Sequence, residues 1–153
     1  MELDYKTILV AVDGSKDAER AFRKAIQIAN RNDGKLLLAH IIDTRAFATV
    51  GIYTYEFPLV DYDPTIGITY ENFARDLMEK YAKEADEAGV KDVNYIIENG
   101  SPKELICDIA NDNKVNLVIC GATGLNAVER FLIGSVSEHI TRHVKCDVLL
   151  VHS

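Results

Sequence analysis

Val115-Asn116-Leu117-Val118-Ile119-Cys120-Gly121-Ala122-Thr123-Gly124 is an apolar run that ends in a glycine loop, and nine residues separate Gly124 from Gly134-Ser135. The run has strand length, β-branched residues and no helical period, so it reads as a strand buried on both faces. Glycines behind such a strand let the backbone turn sharply and let a ligand approach closely. Ser135 then opens a helix whose first N–H groups lack intrahelical acceptors and carry the positive end of the helix dipole. A buried strand, a glycine loop and a helix N-terminus together make a cradle for an anion such as phosphate.

Two better-known loops are excluded by spacing. A Walker loop ends in Gly-Lys-Ser/Thr, and no lysine stands here; a dinucleotide fingerprint packs three glycines into six residues, and these are more widely spread. Taken alone, Gly121 and Gly124 could simply punctuate a turn.

Upstream, Thr7-Ile8-Leu9-Val10-Ala11-Val12 is a second buried-strand run, ended by Asp13 and Gly14. Ser15 is a good N-cap, Asp17 and Glu19 favour the first turn, and Ala18, Ala21, Phe22, Ala25, Ile28 and Ala29 recur as one buried helical face up to Asn32-Asp33-Gly34. Leu36 to Ile42 reads as the next strand, ended by Asp43, with His40 as a core histidine whose ring is satisfied. Residues 44 to 68 lose periodicity, and Tyr53, Tyr55, Phe57 and Tyr62 there are expected to pack over a neighbouring helix or to form a lid. Phe73, Leu77, Met78, Tyr81, Ala85 and Ala88 mark a helix. Val93 to Glu98 reads as a strand with Val93, Tyr95 and Ile97 alternating on one face, and Ser101-Pro102-Lys103-Glu104 reads as a capping box opening a helix that buries Leu105, Ile106 and Ile109. After the glycine loop, Val136, Ile140 and Val144 line one side of a last helix, and Cys146 to His152 forms a last strand. His139 and His143 lie four apart, a metal-compatible spacing with no third ligand nearby in sequence, so a structural role is expected.

Five strands alternating with four helices predict a doubly wound, Rossmann-like α/β domain with a five-stranded parallel sheet and helices on both faces. Residues 1–153 read as one domain.

The glycine spacing resembles the G-x2-G-x9-G-[ST] signature of the nucleotide-binding branch of the universal stress protein family, matched by Gly121, Gly124, Gly134 and Ser135. The likeness runs from Thr7–Ser15 to Cys146–Val151. It implies a strand order of 3-2-1-4-5, which sets the ends of strands one and four side by side. It also implies that Ala11 and Ile41 border an adenine, and that Gly121, Gly124, Gly134, Ser135, Val136 and Ser137 surround ribose and phosphates. Asp13 is suited to accept from a ribose hydroxyl or the adenine amine, since a carboxylate repels phosphate. Thr123 is a further candidate donor. Phosphate charge would be balanced by backbone dipoles, Mg²⁺ or Mn²⁺, or Arg130, for which a surface pairing with Glu129 or Glu138 is an equal alternative.

The expected function is binding of ATP, or of AMP or ADP, by a stress-response sensor or regulator. No nucleophile has a general base assigned to it, so efficient turnover is not expected; the alternative is an enzyme with slow ATPase or phosphotransfer activity. The resemblance further implies a homodimer joined through the C-terminal strand 146–152, an edge strand with few charges to protect it.

The chain has 153 residues, a formal charge of −7 and 48% hydrophobic residues, which argues for an ordinary globular domain and against non-specific nucleic-acid binding. No apolar tract is long enough to span a bilayer, and Met1 leads into Glu2 and Asp4, so neither a membrane span nor a signal peptide is expected and cytoplasm is the default. Cys107, Cys120 and Cys146 lack disulfide or zinc spacing and read as small buried hydrophobes, with Cys120 close to the glycine loop.

Overall fold

The computed structural model describes residues 4–43, 66–123 and 134–152. The elements run β1 (Thr7–Ala11), α1 (Lys16–Asn32), β2 (Lys35–Asp43), α2 (Ile66–Glu87), β3 (Val93–Gly100), α3 (Pro102–Asp112), β4 (Leu117–Gly121), α4 (Ser135–His143) and β5 (Asp147–Val151). All strand pairs are parallel and the order is β3-β2-β1-β4-β5, as the resemblance implies.

Strand alternation sorts the core into two layers. On one face of the sheet Ile8, Val10, Leu36, Leu38 and Ile119 meet Phe22 of α1 and Met78 and Tyr81 of α2, with the Phe22 and Tyr81 rings 4.5 Å apart. On the other, Leu9, Ala39, Val118 and Cys120 meet Ile106 and Ile109 of α3 and Ile140 of α4. Each fully buried Val, Leu, Ile, Phe or Met among them contributes about 1.5–3 kcal/mol of hydrophobic stabilisation. Two packed layers therefore hold the strand ends, and with them the site, in fixed register.

α1 starts as its sequence predicts: Ser15 Oγ accepts the Ala18 N–H at 3.1 Å, with Asp17 and Glu19 in the first turn. It stops where Asp33, rather than Gly34, takes the left-handed conformation at φ 50°. The other elements correct the sequence reading in detail. α2 begins at Ile66, inside the segment read as irregular to residue 68. Its buried stripe is Ala74, Met78, Tyr81 and Ala85, which leaves Phe73 one position out of phase and 63% exposed, and Ala88 exposed beyond the helix end. Ser101 makes no side-chain cap bond, so the capping box does not form; Pro102 at the first helical position starts α3 without it. β3 extends to Gly100 and lies at the sheet edge, where Tyr95 is exposed rather than turned into the core. The aromatics at 53, 55, 57 and 62, together with Gly124 and Arg130, lie outside the described residues.

Candidate functional site

β1 pairs with β2 on one side and β4 on the other. Connections leave this point in opposite directions, so a crevice opens beyond the carboxyl ends of β1 and β4. Four short segments reach it: Ala11–Asp13 from β1, Ile41 from β2, Gly121–Thr123 from β4, and Gly134–Ser137 at the start of α4.

The end of β1 is clamped. The Val12 N–H donates to Ala39 O at 2.9 Å, and the Val12 carbonyl accepts from His40 Nδ1 at 2.6 Å. A carbonyl can only accept, so Nδ1 carries the proton; His40 is half-buried rather than a core residue, and this bond fixes its ring through Nδ1. The next residue, Asp13, is exposed, and its Oδ1 accepts the Ser15 N–H at 2.8 Å across Gly14, whose φ of +84° favours glycine. One carboxylate oxygen thus holds the turn in place. Ala11 and Ile41 are half-buried on the α3/α4 side of the sheet.

The glycine loop is braced from three sides. A Cβ on Gly121 would lie 2.7 Å from Asp17 Cβ and 2.9 Å from the Asp17 carbonyl carbon, so only glycine lets β4 end against α1. The Thr123 hydroxyl donates to Asp17 Oδ2 at 2.6 Å, and the Ser137 hydroxyl donates to Gly121 O at 2.6 Å. The Gly134 N–H returns to Ala122 O at 2.8 Å, and the Ala122 N–H to Val151 O at 2.9 Å. Two of the hydroxyls expected to reach a ligand, those of Thr123 and Ser137, therefore hold protein groups. The role of Asp17 had no signal in the sequence beyond a favourable position near a helix N-terminus.

The N-cap of α4 is Gly134, which sits at φ −63° and has no side chain to bond the first turn. The first-turn N–H groups of a helix have no intrahelical acceptor, so this end presents donors with partial positive charge at the crevice. Ser135 is exposed there, Val136 half-buried and Ser137 buried.

Cys120 lies next to the loop but is buried, and burial pushes its thiol up to about 11. At pH 8 the thiol stays protonated and poorly nucleophilic. Cys107 is buried as well, and Cys146 is half-buried. Iodoacetamide at pH 8 is expected to modify at most Cys146 in the folded chain and all three thiols in urea, counted by intact mass. Rapid labelling of Cys120 in the folded protein would contradict its burial. The His139 and His143 rings stack 3.9 Å apart, and His143 Nδ1 bonds His139 O at 2.8 Å. Among the described residues no group of three His, Cys, Asp or Glu is placed to hold a metal ion.

The universal stress protein family profile matches residues 4–152. The chain belongs to the universal stress protein family. A Staphylococcus saprophyticus protein assigned to the universal stress proteins is 46% identical over 152 residues, covering 99% of this chain and 86% of its own. Among solved structures, this universal stress protein is similar to the protein MJ0577, with a TM-score of 0.80 and 30% identity over 97% of this chain and 96% of that one. It is also similar to a universal stress protein solved in complex with cAMP, with a TM-score of 0.67 and 27% identity over 97% of this chain and 98% of that one. Among the described residues no helix is long and apolar enough to cross a membrane.

Proposed function

We propose that this universal stress protein binds an adenine nucleotide, ATP or its AMP or ADP relatives, in the β1/β4 crevice, and acts as a cytoplasmic, homodimeric nucleotide-dependent sensor or regulator. The observation that carries this is the opposite polarity of the two sides of the crevice: an exposed acceptor, Asp13, at the end of β1, and uncapped donors at the start of α4. A nucleotide has the matching polarity, with hydroxyl and amine donors at one end and phosphate acceptors at the other. The cAMP bound by one similar structure supports the choice of adenine.

Phosphate oxygens would take the backbone N–H groups of Ser135, Val136 and Ser137, with Gly134 keeping side-chain bulk away from them and Gly124 completing the loop. The second oxygen of Asp13 would accept from ribose or the adenine amine, and the half-buried Ala11 and Ile41 would border the base. Mg²⁺ or Mn²⁺ would ride on the phosphates, which supply most of its ligands, and neutralise charge beside a chain of net charge −7.

Calorimetry with ATP and Mg²⁺, with mass spectrometry of any nucleotide released from the purified protein, tests the reading. Absence of both heat and released nucleotide would end it. Asp13→Ala is expected to weaken ATP binding by about 10- to 100-fold, the effect of losing a hydrogen bond to a charged group. Asp13→Asn keeps an acceptor for the Ser15 N–H and should lose less. Equal affinity of Asp13→Ala and wild type would remove Asp13 from the site.

A further inference from the structure

The bond between Asp17 and Thr123 ties the glycine loop to the first turn of α1, at 2.6 Å. Asp17 is only 6% exposed. A buried carboxylate is costly unless hydrogen-bonded, and here it has the Thr123 hydroxyl and a place near the positive end of the α1 dipole. A second observation points to the same contact: Gly121 brings β4 closer to Asp17 than any residue with a Cβ would permit. Strand end, loop and helix are thus built around this pair.

The pair also sets the polarity of the Thr123 oxygen. Thr123 gives its single O–H proton to Asp17 Oδ2 and keeps lone pairs alone for any further partner. Such an oxygen repels phosphate oxygens and attracts a hydrogen donor. Of the donors in an adenine nucleotide, the ribose hydroxyls stand nearer the phosphates than the adenine amine does, and Thr123 lies on the loop that bonds the start of α4, where the phosphates would sit.

We infer that Asp17 is a positioning residue of the nucleotide site, and that Thr123, oriented by it, accepts from a ribose hydroxyl and makes the site prefer ribonucleotides to deoxyribonucleotides. This rests on the nucleotide reading above. Thr123→Val preserves shape and removes the hydroxyl. It is expected to weaken ATP binding about fivefold and to leave binding of either 2′-deoxy-ATP or 3′-deoxy-ATP unchanged, so that the matching discrimination ratio falls about fivefold. Asp17→Ala should lower the same ratio and speed amide hydrogen exchange at Ala122 and Thr123 in nucleotide-free protein. Asp17→Asn, whose carbonyl oxygen still accepts the proton, should restore both.

Equal losses for ATP and both deoxy analogues in Thr123→Val would overturn the ribose assignment. Unchanged amide exchange in Asp17→Ala would overturn the positioning role; if that variant does not fold, Thr123→Val deletes the same bond from the other side and is read the same way. Wild-type protein that binds no adenine nucleotide would sink the nucleotide reading and the ribose assignment with it, while the exchange measurement still decides whether Asp17 holds the loop.

Discussion

Gly121→Ala is expected to destabilise the folded chain by about 2 kcal/mol, and Gly121→Val by more. The added Cβ would stand 2.7 Å from Asp17 Cβ, 2.9 Å from the Asp17 carbonyl carbon and 3.0 Å from the Ala18 nitrogen. Two of these atoms are backbone in the first turn of α1, which the Ser15 cap holds in place. Neither can rotate away as a side chain tip would, so α1 or the end of β4 must move. Overpacking a well-packed region typically costs about 1–3 kcal/mol. In a domain of this size that corresponds to a fall in Tm of roughly 4–8 °C, measured by calorimetry or by the urea midpoint. Nucleotide binding should fall too, because moving α1 separates Asp17 from Thr123. A Tm equal to wild type with binding abolished would show instead that Gly121 serves ligand approach alone. Gly121 variants are therefore poor controls for binding, and Asp13 variants are better ones.

The second large effect concerns assembly. β5 lies at the edge of the sheet, bonded to β4 on one side only. The Val151 carbonyl accepts from the Ala122 N–H, so Val151 turns its backbone groups towards β4. Backbone direction alternates along a strand, so Leu149 also faces β4, while Val148 and Leu150 turn theirs outward. In the proposed homodimer a twofold axis sets two copies of this edge antiparallel and pairs those outward groups. Leu150→Pro removes an outward N–H and spares the bonds to β4, a position where an edge strand tolerates proline. It should convert a dimer of twice 17.0 kDa to a folded monomer in light scattering at micromolar concentration. Leu149→Pro removes an N–H that faces β4 and should impair folding itself. A wild-type mass of 17.0 kDa, or a Leu150→Pro protein that remains dimeric, would refute the edge pairing.

Much of the fold was legible because its signals are local. Continuous apolar runs at Thr7–Val12, Leu36–Ile42 and Val115–Cys120 are what strands covered on both faces require, and all three became strands of the parallel sheet. Ser15 and Asn32-Asp33-Gly34 bounded α1 because capping acts through neighbours in the chain. Phe73 and Tyr95 misled because their burial depends on which face another element covers, and periodicity within one segment leaves the phase open by a residue; nothing in the structure explains why Ser101 makes no cap bond.

The sequence by itself determined the alternation of strands and helices and, through the glycine spacing, the family, because residue types and spacing encode these within short stretches of the chain. That the ends of β1 and β4 lie side by side was implied by the family resemblance alone, since strand order is set by contacts between distant segments. The tertiary structure alone decided what Gly121, Thr123, Asp17 and Ser137 do there. The Thr123 bond to Asp17 spans 106 positions, and the close approach at Gly121 exists only once β4 has docked against α1. Contacts between residues so far apart in sequence leave no periodic trace; they arise when packing brings a helix N-terminus within hydrogen-bonding reach of a strand end.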